Sequence, residues 1–433
     1  MMENIKTQIF SLLKKKAMKN GVWLYLLQIF NTIVPLLTLP YITRIMTTDK
    51  YGSFSIALNI YGYLQVLVEY GFGLSATRKM VQYENDIKQA DKLFSKVFFS
   101  RIFLSSLGVA ISILYAFIFK YEIDQCICLL IMALCSYGYC LQLNWFFQGI
   151  QDMKYISITS ILGRTVSVIC IFVFVKSSED LFIYAICTAI LPIFSGIIGF
   201  LIANKKYGLS FAKVRFCEIW NELKDGFLVF TASLSSKVFG AIGITFLGIL
   251  GSKSEVGIYS AVQKIPNLMM LAWAPIAQVL YPISSKKMGD SFIEGKKFVL
   301  KTRRYILALF IIGTAFISIF SNLIVKIAFG EEYAQHSYWI IPLLGWLIFS
   351  INNNFLGHQI LLGGGFDKEY SKCFQIGIII TVVMNFVFIY FLGGDGACVA
   401  PLLSELCLTL LEIRQIHKIE KKRCSLEIMD NLS

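Results

Sequence analysis

Three cations stand inside otherwise apolar runs of this chain: Arg164, Lys237 and Lys264. Arg164 and Lys237 fall about 9 and 11 residues into their runs, about 14 to 17 Å deep at the rise of an α-helix and so close to a bilayer midplane. Lys264 stands about 7 residues, or roughly 10 Å, from the nearer end of its run, on a helix face shared with Ser260, Gln263 and Asn267. A cation at the centre of a membrane helix costs on the order of 2.5 to 3.5 kcal/mol, so such groups turn away from lipid. Two uses are open to them. They line a wet cavity for an anionic group, or they are spent internally, Arg164 on a buried acid such as Glu69 or Glu405 and Lys264 by reaching outward to the interface.

A second polar set lies between Gly52 and Ala76, where Ser55, Asn59, Gly62, Gln65 and Glu69 recur at steps of three or four and share one helix face. A polar face at that depth must look into a partner helix or a water-filled space. Glu69 and Glu405 are the acids placed to couple a proton or sodium ion, whereas Glu412 stands near enough to a span end to be interfacial. The runs Gln142, Asn144, Trp145, Gln148 and Asn352-Asn353-Asn354 supply hydrogen-bonding groups suited either to sugars or to neighbouring helices.

The elements that must position these residues are membrane helices. Of 433 residues 56% are hydrophobic and 15% charged, with mean hydropathy +0.67, which excludes a soluble domain of this length. Twelve apolar spans are expected: Gly21–Ile45, Gly52–Ala76, Val97–Phe119, Cys126–Phe147, Tyr155–Val175 and Leu181–Ala203, then Gly226–Leu250, Gly257–Ser284, Tyr305–Ile327, Ser337–Leu362, Lys372–Leu392 and Gly396–Ile416. The first run lacks the short core and cleavage site of a signal peptide and is expected to remain as a span. The organisation is therefore a basic segment 1–20 with amphipathic character, a six-span lobe 21–203, a connector 204–225, a second six-span lobe 226–416 and a tail 417–433.

The net charge of +13 is gathered in short connections rather than on a nucleic-acid surface. Counting Lys and Arg on alternate sides gives 31 against 6, which puts both termini in the cytoplasm. Tyr51-Gly52-Ser53-Phe54-Ser55 is echoed by Val256-Gly257-Ile258-Tyr259-Ser260, and Gly149 to Tyr155 by Gly364 to Tyr370, at matching points of the two halves. Six spans per half is an even number, so both lobes face the same way, related by an axis along the membrane normal around a central cavity. The 11 cysteines are dispersed and the three histidines lie far apart, so no metal site or other cofactor is expected. Gly363-Gly364-Gly365 reads as a turn rather than a phosphate loop.

The segments Leu39-Pro40-Tyr41-Ile42-Thr43-Arg44 with Tyr51-Gly52, Tyr70-Gly71-Phe72-Gly73-Leu74-Ser75-Ala76-Thr77-Arg78, Asn144-Trp145-Phe146-Phe147-Gln148-Gly149 with Lys154-Tyr155, Val256 to Ala261 and Phe329-Gly330-Glu331-Glu332-Tyr333 carry a resemblance. In these the chain resembles the bacterial polysaccharide and O-antigen flippases of the Wzx type, within the multidrug/oligosaccharidyl-lipid/polysaccharide exporter superfamily. The resemblance spans about Leu39 to Glu405 and implies a non-enzymatic transporter of the bacterial inner membrane. Its implied cargo is an undecaprenyl-pyrophosphate-linked oligosaccharide, moved from the cytoplasmic to the outer leaflet, with other polysaccharide assembly proteins as partners. It also implies a cationic cavity, in agreement with Arg44, Arg78, Arg164, Lys237 and Lys264, with Asn59, Gln65 and Asn267 as polar lining. Two other functions compete. A multidrug or organic-cation antiporter of the same superfamily calls for buried carboxylates, whereas the deep charges here are mainly cationic. A membrane polysaccharide polymerase or ligase calls for a large outer loop, and every outer connection is short.

Overall fold

The computed structural model describes residues 2–83 and 86–430, with side chains for 19–83 and 86–421. Most side chains behind the amphipathic reading of 1–20, Lys6 and Lys14 to Lys16 among them, lie outside the described residues. Among those described the chain is all helical, and ten helical segments are long and apolar enough to cross a membrane. Two compact units divide it, Met1–Val238 and Phe239–Ser433.

The first unit opens with α1 (Met2–Ile45) and α2 (Thr48–Glu69). Thr47 starts α2 by accepting from the Lys50 amide at 3.4 Å, satisfying one of the donors that a helix start leaves free. A single second span to Ala76 is not what forms. Tyr70 (φ 44) and Gly71 (φ 76) are both left-handed, which a right-handed helix cannot absorb, and α3 (Phe72–Gln82) leaves in a new direction. Gly71 is required there twice over, since a Cβ would stand 2.6 Å from the Val229 side chain.

Next come α4 (Ile87–Ile118) and α5 (Ile123–Cys135), the latter begun by the reciprocal capping of Glu122 and Gln125. The expected fourth span, Cys126–Phe147, is broken into α5, a 3-10 turn Ser136–Leu141 and the short α6 (Asn144–Gly149). The 3-10 turn lies against the backbone around Pro192, where a Cβ on Gly138 would stand 2.6 Å from the Ile193 amide nitrogen. Then follow α7 (Lys154–Phe174), packed along α8 (Leu181–Tyr207), and α9 (Phe216–Leu250). The connector expected over 204–225 is therefore helical at both ends, to Tyr207 in α8 and from Phe216 onward in α9. Glu218 begins that helix by accepting from the Arg215 amide at 3.0 Å. The buried rings Phe72, Phe94, Trp145, Phe146 and Phe147 form the core that joins α3, α4 and α6.

The second unit continues with α10 (Lys253–Val262), α11 (Lys264–Asp290), α12 (Phe292–Ile319), α13 (Ser321–Phe329), α14 (Glu331–Ala334), α15 (Ile340–Asn353) and α16 (Asp367–Asp430). A π-helical stretch, Asn354–Leu362, follows α15, and Gly363 to Gly365 form the expected turn, with Gly365 at φ +79. The long α16 is interrupted at Gly393, whose φ of 55 and ψ of −128 suit glycine alone. The Glu255 carboxylate holds the break by accepting from the Gly394 amide at 2.8 Å while it also accepts from the Ser252 amide at 2.8 Å.

Candidate functional site

In the first unit the polar face of α2 is present. Asn59 is buried, and Gln65 donates to the Glu69 carboxylate one turn on at 3.1 Å. Gly62 leaves room for the Lys237 side chain of α9, whose ammonium also lies 5.6 Å from the Tyr63 ring centroid. Lys237, assigned by its sequence position to the second lobe, thus belongs to the first compact unit. Arg164 on α7 is half-buried. Its Nε has no hydrogen-bond partner among the described residues, and within its unit it makes no ion pair with Glu69, which is engaged by Gln65. Arg44 ends α1 and Arg78 stands on α3, both exposed.

Arg101 falls four residues into the expected span Val97–Phe119 and counts among the 31 charges of the orienting side. The structure puts it inside α4 at 4% exposure, where its guanidinium donates to the Tyr139 carbonyl at 2.9 Å and the Gln142 carbonyl at 2.7 Å over the Phe72 ring. Its partners are backbone oxygens some forty residues away, so no side-chain pattern announces them. Lys79, next to Arg78, bridges Glu222 at 2.7 Å and Asp225 at 2.8 Å, and Glu222 is itself buried. Burial alone would lower the Lys79 pKa, and the two carboxylates outweigh it and raise it. The stack of Tyr70 on Phe230, 4.5 Å between centroids, joins the turn before α3 to α9.

In the second unit a polar core surrounds Glu405. Its carboxylate accepts from Asn353 at 2.6 Å, Thr409 donates to the Asn353 amide oxygen, and Arg303 donates to Asn352 at 2.7 Å. Of the asparagine run, Asn352 and Asn353 thus serve interhelical bonding. Beside Glu405 is a cavity of about 50 Å³ lined by Tyr259, Gln263, Asn385 and Ser404. The Asn385 amide oxygen is buried there with no hydrogen bond to a described residue. This arrangement can hold a water or a small cation beside a carboxylate. Glu412, expected near an interface, is buried against Gly357 of the π-helical stretch, whose missing side chain makes the room. Lys264 is the exposed first residue of α11, and Asn267 one turn later is half-buried. Among the described residues no group of His, Cys, Asp and Glu is arranged to hold a metal ion.

A family model described as "Polysaccharide biosynthesis protein" matches residues 17–288. The chain belongs to the polysaccharide biosynthesis protein family. Two relatives carry the name "Putative O-antigen transporter". That of Escherichia coli K12 is 25% identical over 402 residues, covering 92% of this chain and 96% of its own, and that of Shigella dysenteriae is 24% identical over 404 residues, covering 92% and 99%. Among solved structures, "Lipid II flippase MurJ, inward closed conformation" aligns with TM-score 0.66 at 12% identity, over 92% of this chain and 87% of its own. A multidrug resistance MATE family transporter of the MOP superfamily, in an inward-facing conformation, aligns at 0.63 and 14% identity, over 90% and 99%. This member of the family is thus a multi-pass membrane protein with the MATE and MurJ fold, and its kin are transporters rather than enzymes.

Proposed function

We propose that the protein is a flippase that moves a polyprenyl-pyrophosphate-linked oligosaccharide from the cytoplasmic to the outer leaflet of the bacterial inner membrane. The observation that carries the reading is the match, nearly end to end, to relatives named as O-antigen transporters. The physics of such a cargo agrees with the residues. A pyrophosphate and a glycan cannot enter hydrocarbon unaided, whereas the prenyl tail remains in lipid while the head passes through a wet space.

On this reading there are twelve spans in two lobes. The ten long apolar segments are supplemented by α2, whose polar face lowers its hydropathy, and by the separation of α16 into two spans at Gly393. Arg164 and Lys237 near the midplane offset the lost hydration of the pyrophosphate, with Arg44, Arg78 and Lys264 as further cations and Asn59, Gln65 and Asn267 as polar lining. Rocking of the lobes exposes the site to each side in turn, and Glu405, with Glu69 as the other acid, couples that motion to an ion. Both termini are cytoplasmic, and other polysaccharide assembly proteins work beside it.

The test is leaflet movement in liposomes with a labelled polyprenyl-pyrophosphate oligosaccharide. Wild type moves it, while Lys237→Ala and Arg164→Ala at equal protein abundance are slow. Full transport by both variants would discard the cationic site. A second reading, a multidrug antiporter, draws on the MATE fold, and altered drug susceptibility on deletion with normal surface glycan would favour it.

A further inference from the structure

Between α4 and α5, at the end of the first unit that positive-charge counting assigns to the outer surface, lies a crevice of about 560 Å³. Its walls are apolar, formed by Ala116, Phe117, Leu129 and Leu130, with Phe117 82% exposed at its edge. Lys120 stands at its mouth. It is exposed and left-handed at φ 50, a conformation a lysine rarely adopts and a glycine takes freely. The neighbouring rings of Tyr115, Phe119 and Tyr121 form an aromatic group, with the two tyrosine hydroxyls 3.4 Å apart, as expected at the level of lipid headgroups.

Other cations assigned to the outer side have protein partners. Lys50 is paired with Asp124 at 2.6 Å, Lys326 with Glu331 at 2.6 Å, and Lys176 donates to the Phe172 carbonyl. The nearest acids in sequence are also engaged, Asp124 by Lys50 and Glu122 by its cap on α5. The Lys120 ammonium makes no ion pair or hydrogen bond with a described residue. One apolar crevice with one such cation at its lip fits a ligand with one chain and one anionic end, rather than a lipid with two acyl chains.

We propose that the crevice binds a single-chain isoprenoid lipid phosphate in the outer leaflet, its chain against Phe117 and Leu130 and its phosphate on Lys120. Such a lipid shares the isoprenoid chain and a phosphate with the carrier of the cargo, so the proposal rests on the orientation and cargo class proposed above. The experiment uses the full chain in nanodiscs with a photoreactive polyprenyl monophosphate, labelled sites being mapped by peptide mass spectrometry. Labelling is expected on α4 and α5 around the crevice. It should fall about fivefold in Lys120→Gly, which removes the charge and relieves the backbone, and be restored in Lys120→Arg. Leu130→Trp, which fills the crevice from an exposed position, should abolish it. Unlabelled polyprenyl phosphate should displace the probe, and excess phosphatidylglycerol should not. Labelling that is scattered, unchanged in Lys120→Gly and Leu130→Trp, or equally displaced by phosphatidylglycerol overturns the proposal. Binding and flipping are read separately. Specific labelling without flipping sinks the transport reading and leaves this site, whereas flipping with scattered labelling sinks this site alone.

Discussion

Replacing Arg101 by Met keeps an unbranched, though shorter, apolar side chain in α4 and removes the two hydrogen bonds to the Tyr139 and Gln142 carbonyls. Hydrogen bonds to a charged group contribute about 1.5 to 3 kcal/mol each, giving a gross loss of roughly 3 to 6 kcal/mol. Part is recovered because a guanidinium no longer has to be buried. The Tyr139 carbonyl also keeps a second donor, the Gln142 amide at 3.1 Å. A net destabilisation of about 3 kcal/mol is therefore expected. Arg101→Lys should cost about half of that, since both bonds leave a single terminal nitrogen, which an ammonium with three donors can replace from a somewhat shorter side chain. The assay is reversible unfolding of the purified protein in detergent, followed by tryptophan fluorescence, because Trp145 is buried in the adjoining core. If Arg101→Met unfolds within about 0.5 kcal/mol of wild type, the surface-like value of an untargeted substitution, the assignment of Arg101 as the tie between α4 and the 3-10 turn is wrong.

Other outcomes follow from the same reasoning. Gly393→Ala should cost about 1 to 3 kcal/mol, because its backbone suits glycine and a Cβ would stand 2.6 Å from the Glu255 carboxylate; thermal unfolding beside a control at the unstrained Gly240 reads it. Glu255→Ala should destabilise by about 2 to 4 kcal/mol through loss of its bonds from Gly394 and Ser252, and amide exchange at Gly394 should accelerate; unchanged exchange there refutes the role. Asn353→Leu withdraws the Glu405 donor and should cost about 1 to 3 kcal/mol in the same unfolding assay. At the turn before α7, partial burial works to raise the Asp152 carboxyl, but hydrogen bonds from Tyr207 and Lys206 and the charge of Lys154 outweigh it and hold its pKa below the ordinary value. Its stabilising share is thus present above the unfolded-state value of about 3.9 and fades as pH falls through the depressed folded one. Asp152→Asn should flatten that acid limb of a stability profile, and an unaltered limb would exclude the contribution.

Much of the fold was legible because lipid imposes a simple demand: about 20 apolar residues per crossing, with polar groups confined to one face. The α2 face from Ser55 to Glu69 could be read from spacing alone, since helix geometry puts residues four apart within bonding reach, as Gln65 and Glu69 prove to be. The turn at Gly363 to Gly365 and the boundary after Leu392 were legible for a related reason, glycine being the residue that accepts the backbone such places need. The aromatic run Trp145-Phe146-Phe147 was visible as a family likeness and Trp145 as a hydrogen-bonding group, but its indole nitrogen finds no partner among the described residues and its place in the core comes from rings brought in by α3 and α4.

Hydrophobicity and short-range spacing thus determined by themselves that this chain is helical, where most of its spans lie and which polar residues share a face, because each depends on neighbours within a turn or two. Which charges are spent and on what was decided by tertiary structure. Arg101 is taken up by carbonyls of the 3-10 turn, Lys79 by acids of α9, Glu405 by Asn353, and Lys237 lies over Gly62. Each of those partners is 38 or more residues away along the chain, and the energy of a buried charge depends on what surrounds it in space rather than in sequence.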